Sequence, residues 1–269
     1  MTHPFLLLDI KQHRLHGWKR ESDFGFARAS AWAPLLIAEV PRALAVFPIA
    51  FARRSAGGYQ LAALLGMHKG HNLFVDGAGK WLADYIPSHY RAYPFSMIET
   101  PQGDKRVYGL GFFQASGLYR ESPNSELGEE RFFDDEGKLQ PFMEKLFEFL
   151  KATTVNCRQT QTAVDALAQA GVLIPWNLAA AGEQLADQPP LQGFYRIDEH
   201  ALAALPGDVL HELNRSSALL LAYGQLLSMP RINLLRTLLK LKQPAPPPTG
   251  LDLEKLFDKK DDIFKFGEI

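Results

Sequence analysis

Residues 134–171, DDEGKLQPFMEKLFEFLKATTVNCRQTQTAVDALAQAG, divide the chain into two kinds of sequence. Within them Leu139, Phe142, Met143, Leu146, Phe147, Phe149 and Leu150 recur at three- and four-residue spacings, and the pattern continues through Val155 and Val164 to Leu167. Apolar residues at that period lie on one face of an α-helix, so the stretch predicts one long amphipathic helix ending near Gly171. Asp134, Asp135 and Glu136 precede it as a solvated loop whose charge favours the positive helix N-terminus. Cys157 falls inside the helix and reads as a small buried hydrophobe rather than a catalytic thiol.

Upstream, Gly or Pro punctuates the chain every eight to twelve residues, and the segments between are short and apolar or aromatic, a β-rich pattern. Strands are expected at residues 5–10, 35–38, 48–53, 59–65, 72–74, 95–99 and 106–112, with a short helix at 40–46 opened by Pro41. Downstream, residues 191–197 read as a strand, Asp198 as a helix N-cap, and Pro206-Gly207-Asp208 as the start of a helix to about 213. A further helix spans 216–228 until Pro230 interrupts it, and a last one follows over 231–241. The expected class is α+β: an N-terminal β-rich lobe over residues 1–135 packed on a mainly helical lobe over 136–242, the two sharing one core. Residues 243–250, QPAPPPTG, form a polyproline-like linker to a tail over 251–269. That tail carries Phe257, Ile263, Phe264 and Phe266, and two readings stand: a mobile terminus with incidental apolar residues, or anchors through which it docks on its own body, on a protein partner or on another copy of the chain.

The whole chain has 269 residues, 46% of them apolar and 22% charged, which is ordinary globular usage and excludes disorder, collagen-like repeats and a coiled-coil rod. Lys and Arg number 29 against 30 Asp and Glu, a formal net charge of -1, so no global field draws the chain to nucleic acid or to an anionic lipid surface. The basic residues of the last helix, Arg231, Arg236, Lys240 and Lys242, complement its dipole and lack the interleaved aromatics of a nucleic-acid surface. A single cysteine excludes an intrachain disulfide and a multi-cysteine metal site. The N-terminus has no basic region ahead of an apolar run, and nowhere do about 18 apolar residues follow one another, so the cytoplasm is the expected location and no membrane span is expected.

Several strings, taken in order, carry a family likeness: Glu39-Val40-Pro41-Arg42-Ala43 with Phe47-Pro48-Ile49, Ala63-Leu64-Leu65-Gly66, the run from Asn72 to Trp81, Tyr85-Ile86-Pro87, and Arg91-Ala92-Tyr93-Pro94-Phe95. Gln192-Gly193-Phe194-Tyr195-Arg196-Ile197-Asp198 and the segment from Ala218 to Met229 complete the set. Together they resemble the bacterial SapC family over roughly residues 5–240, leaving the linker and tail outside. The family's labels refer to a bacterial surface layer or to peptide transport. Its members tend to be encoded beside halogenase-like flavoproteins, cupin-like proteins and outer-membrane receptors, which implies an accessory or modifying role.

The densest group of chemically able side chains lies between His68 and Tyr93. His68 and His71 stand three apart in a turn, and a metal there would need His89, His13 or His16 as a further ligand; no metal and no cofactor are expected. No iron-binding His-x-Asp pair with a distal His, no His-Glu-x-x-His helix, no phosphate-binding glycine motif and no Gly-x-Ser-x-Gly elbow occurs. Two readings of residues 85–95 stand side by side. In the structural one the rings fill a core and Arg91 pairs with a carboxylate such as Glu39, so that Arg91→Ala costs a few kcal/mol. In the functional one Asn72, Trp81, Tyr85, His89, Arg91 and Tyr93 form a ligand site, with Arg91 gripping a small carboxylate. The corresponding functions are a non-catalytic binding or accessory protein and, alternatively, an enzyme acting on an amino acid, peptide or small acid with Arg91, His71 and His89 at its centre.

Overall fold

The computed structural model describes residues 5–20, 23–102, 105–178 and 190–242. The linker, the tail and the docking expected of Phe257, Ile263, Phe264 and Phe266 lie outside the described residues. The first part of the chain contains β1 (Phe5–Leu7), α1 (Ile10–His13), β2 (Gly17–Lys19), β3 (Trp32–Pro34), α2 (Val40–Ala43), β4 (Ile49–Arg53), β5 (Tyr59–Leu64), α3 (Ser88–Arg91), β6 (Phe95–Gln102), β7 (Lys105–Phe113), β8 (Tyr119–Arg120) and β9 (Glu129–Arg131). The second contains α4 (Pro141–Gln169), β10 (Leu173–Pro175), β11 (Phe194–Ile197), α5 (Glu199–Ala203), α6 (Gly207–Arg215), α7 (Ala218–Ser228) and α8 (Ile232–Lys242). Strands concentrate before α4 and helices after it, and every strand pair among the described residues is antiparallel, so the fold class is α+β.

Three sheets form, ordered β1-β7-β6, β10-β11-β4-β5-β3 and β8-β2-β9. The middle one unites the two halves of the sequence, because β11 pairs with β4 (Phe194 opposite Ala52) and brings β10 with it. Helix α4 opens on Pro141, whose missing amide proton is not needed in the first turn, and runs 29 residues without an internal Gly or Pro. Gly171, at φ +70°, follows it in the left-handed region.

The buried apolar side chains form two clusters rather than the single core expected from the sequence. One surrounds Phe47, Phe51, Leu61 and Ile197 on the five-stranded sheet; the other surrounds Trp18, Phe95, Phe112 and Phe132 on the two smaller sheets. Helix α4 serves both. Met143, Leu146 and Leu150 from its first half enter the smaller cluster, and Ala163, Val164 and Leu167 from its second half enter the larger one. At about 1.5 Å per residue the helix is roughly 43 Å long, and its middle lies between the stretch that enters one cluster and the stretch that enters the other. Val155, expected on the apolar face, is 55% exposed there, and Cys157, expected to be buried, is also exposed.

Polar residues inside the helices have a sheet-directed purpose. Thr160 Oγ1 accepts from Ile37 N at 2.8 Å, Ser228 Oγ from Ile49 N at 2.8 Å, and Gln225 Oε1 from Ile197 N at 2.9 Å. Backbone amides that no neighbouring strand satisfies are thus closed by helix side chains, which explains the buried Gln225 in an otherwise apolar α7.

Two expected strands take other forms. The residues after Trp32–Pro34 turn into a 3-10 turn at Ile37–Glu39, so the strand lies before residues 35–38. Residues 72–74 form a side-chain-bonded loop and not a strand, because Asn72 Oδ1 accepts from Phe74 N (2.9 Å) while its amide donates to Ala27 O (3.1 Å). Asp198 caps α5 as expected, accepting from His200 N and Ala201 N.

Candidate functional site

Glu39 organises the region singled out in the sequence. The 3-10 turn carries its carboxylate back toward the amide that opens the turn, and Oε2 accepts from Leu36 N at 2.9 Å. Oε1 accepts from the Tyr85 hydroxyl and from Ser88 N, both at 2.7 Å, and Oε2 from Ser88 Oγ at 2.8 Å. Four donors therefore surround a carboxylate that is only 4% exposed. Arg91 approaches Oε1 at 4.0 Å, with its own side chain 42% exposed and its guanidinium over the rings of Phe149 (5.1 Å) and Tyr85 (5.8 Å). The Arg91–Glu39 pair anticipated from the sequence exists, but as the weakest of the contacts to Glu39. Burial and the adjacent Glu39 charge raise the Tyr85 pKa.

Three of the six residues expected to bind a ligand serve the scaffold. Asn72 closes its loop as described. Trp81 donates from Nε1 to Tyr85 O at 2.9 Å and packs against Phe47 and Phe74; Tyr85 is tied to Glu39. Between Asn72 and Trp81, Asp76 Oδ1 accepts from Ala78 N and Lys80 N, each at 2.9 Å, closing a tight turn. Lys242, at the end of α8, reaches back to this loop and donates to Val75 O (2.7 Å) and Asn72 O (3.2 Å); desolvation lowers its pKa.

His89 and Tyr93 lie elsewhere, on the wall of a cleft of about 510 Å³. It occupies the seam between the two cores: Leu150, Thr153, Thr154 and Cys157 of α4 form one side, Pro94, Phe95 and Met97 another, and Phe26, Tyr93, Phe113 and Phe5 contribute rings. Those rings are contiguous. Phe26 and Tyr93 stack at 3.7 Å and 7°, Tyr93 meets Phe113 at 6.4 Å, and Phe113 meets Phe5 at 5.6 Å. The hydroxyls of Thr153 and Thr154 both turn back to Leu150 O at 2.8 Å, leaving their methyl groups to face outward from the helix.

A second chamber, also about 510 Å³, adjoins the first at Ser30, Pro34, His89 and Tyr90, which line both. Its remaining walls include Trp32, Arg53, Lys69 and the segment from Leu191 to Phe194. Tyr90, on the shared wall, is 5% exposed, with its hydroxyl enclosed by protein and interacting with Ser30; burial pushes its pKa up to about 12. His89, on the same wall, is exposed, and desolvation lowers its pKa. Arg91 and His71 line neither of these two chambers, whereas His89 lines both. His68 is buried with Nδ1 unpartnered. Among the described residues no three His, Cys, Asp or Glu side chains assemble into a metal-binding group.

The cleft residues that the sequence reading passed over, Phe26, Leu36, Met97, Phe113, Thr153, Thr154 and Cys157, come from five separate segments. A local signal existed in α4: after Leu150 the apolar stripe continues at 153, 154 and 157 with two threonines and a cysteine, smaller residues than a filled interface takes.

No described helix is long and apolar enough to cross a membrane. No curated protein and no solved structure matches the chain. The SapC family model matches residues 8–235, from just after β1 into α8, and so includes the Glu39 hub and most of both cores and of the cleft: the chain belongs to the SapC family.

Proposed function

We propose that this SapC-family protein is a non-catalytic binding protein whose ligand is a small, largely apolar molecule seated in the cleft between the two cores. One observation carries the reading: an aromatic-lined cleft of about 510 Å³ at the seam between the two cores. Cavities of this size with mainly apolar walls and a few convergent polar groups are typical ligand sites. Several polar groups near the cleft are already held in structural bonds. Ser88 Oγ is given to Glu39, the Glu39 oxygens each accept two donors, and both threonine hydroxyls bond the helix backbone. Binding without chemistry fits an accessory protein that holds or presents a molecule for a neighbouring modifying enzyme.

Cys157, the one cysteine of the chain, provides the test because it lines the cleft from an exposed position on α4. Nile red, a neutral apolar dye, is expected to bind at one site and to slow the reaction of Cys157 with N-ethylmaleimide. Cys157→Trp places a large side chain in the same space and should abolish dye binding while circular dichroism stays unchanged. Absence of saturable dye binding, or equal binding by a folded Cys157→Trp protein, overturns the assignment.

A further inference from the structure

The two chambers differ in chemistry, and the difference specifies a ligand. The first is walled by rings, aliphatic side chains and threonines turned onto their own helix; His89 is the one titratable imidazole on it and no Asp, Glu, Lys or Arg lines it. The second is smaller in apolar content and contains two cations, Arg53 and Lys69, again with no Asp or Glu among its lining residues. Arg53 uses one N–H toward the Tyr195 hydroxyl at 3.3 Å, which orients the guanidinium at the end of β4 and leaves further donors. Lys69 stands on the turn after buried His68, directly before Gly70, whose φ of +78° holds the turn. Neither Arg53 nor Lys69 has an ion pair among the described residues.

An apolar chamber and a cationic chamber separated by long distance would be two sites. Here they adjoin at Ser30, Pro34, His89 and Tyr90, which line both. A polar head reaching that junction from the apolar side lies next to the chamber that contains Arg53 and Lys69.

We infer that the ligand is an amphiphilic acid: an apolar chain or ring system in the aromatic chamber, with a carboxylate or phosphate head in the second chamber near Arg53 and Lys69. This rests on the binding function proposed above and adds to it the charge and position of the head group. The shared chemistry is an anion on an apolar body. A carboxylate would be gripped by the planar guanidinium in two-point fashion, whereas a phosphate would draw on both cations.

The test is competition against Nile red by four molecules of equal chain length, octanoate, octyl phosphate, octanol and octylamine, at low ionic strength. Either anion is expected to displace the dye at a concentration about tenfold lower than octanol, and octylamine to be the weakest. Octyl phosphate ahead of octanoate assigns the head to phosphate, and the reverse order assigns it to carboxylate. The combined Arg53→Gln and Lys69→Gln substitutions, both at exposed positions, should bring the anions to the level of octanol. In the unaltered protein 0.5 M salt should narrow the same gap, because exposed charges are screened. Nile red binding with octanol and octanoate equally effective would overturn the head-group assignment while leaving the apolar cleft standing. A preference for anions that persists in the doubly substituted protein would also overturn it. Failure of Nile red itself to bind would instead remove the underlying function.

Discussion

Replacing Glu39 separates the contributions of the carboxylate, its neutral donors and Arg91. In Glu39→Ala the amides of Leu36 and Ser88 cannot turn away, because the backbone fixes them, and the Tyr85 hydroxyl can turn only about its ring axis; all three now lack the acceptor they meet at 2.7–2.9 Å. At about 1–3 kcal/mol for each stranded donor the gross cost is roughly 3–9 kcal/mol. Removing the carboxylate also removes its own desolvation penalty, and water can enter the space left behind, so the net loss should settle at about 3–5 kcal/mol. Glu39→Gln retains one accepting oxygen and the side-chain volume but turns an NH2 toward two donors, and should cost about 2–3 kcal/mol. Arg91→Ala removes a partner 4.0 Å away whose side chain is 42% exposed, together with its position over two rings, and should cost about 1 kcal/mol or less. Urea unfolding followed by tryptophan fluorescence gives all three, provided the m-value is unchanged. An Arg91→Ala loss equal to that of Glu39→Ala would refute the reasoning, because the ion pair and not the neutral donors would then hold the carboxylate.

Other expected outcomes address the rest of the structure. Gly66→Ala should destabilise the fold by more than about 2 kcal/mol, since an added Cβ would lie 2.0 Å from the His71 carbonyl oxygen; a thermal midpoint equal to that of the parent would contradict that close approach. Leu167→Ala, in the larger core, should cost about 2–5 kcal/mol by opening a cavity, whereas Val155→Ala on the exposed middle of the same helix should change stability by less than about 0.5 kcal/mol; equal effects would refute the division of α4. Acid should weaken the protein partly through His68. Burial and the neighbouring His71 charge hold its folded pKa below 6.5, so the unfolded chain takes up the proton first, and the stability present above pH 6.5 is lost as pH falls through the lowered value. His68→Leu should therefore lose less stability than the parent between pH 7 and 5, and parallel curves for the two proteins would exclude His68 as a contributor.

The amphipathic repeat of residues 139–167, the Gly and Pro punctuation before it and the Asp198 cap are local properties of the chain. Each depends on neighbours a few positions away, so the α+β class, the long helix and the α5 start were legible without coordinates. The likeness of the strings between Glu39 and Met229 to one family was legible for a related reason: order along the chain is itself sequence information, and the family match over 8–235 bears it out. Of the region between His68 and Tyr93, the crowding of aromatic and polar side chains could be read, and so could the partnership of Arg91 with Glu39. The weight of that partnership could not, because two of the four close donors to Glu39 are backbone amides, which every residue but proline possesses and which no side-chain pattern reveals.

Only the tertiary structure decided that the buried residues form two clusters, that α4 divides its apolar face between them, and that Thr153, Thr154 and Cys157 stand over the resulting seam. The same holds for the cleft itself, which draws Phe26, His89, Tyr93, Phe113 and Leu150 from separate segments, and for the cationic chamber, where Arg53 and Lys69 meet a segment near residue 192. A hydrophobic period tells a residue that it faces inward but not which partner it will face, since burial is non-directional. Partner choice follows from strand register and helix placement, and here the pairing of β11 with β4 and the length of α4 set the gap that became a cavity.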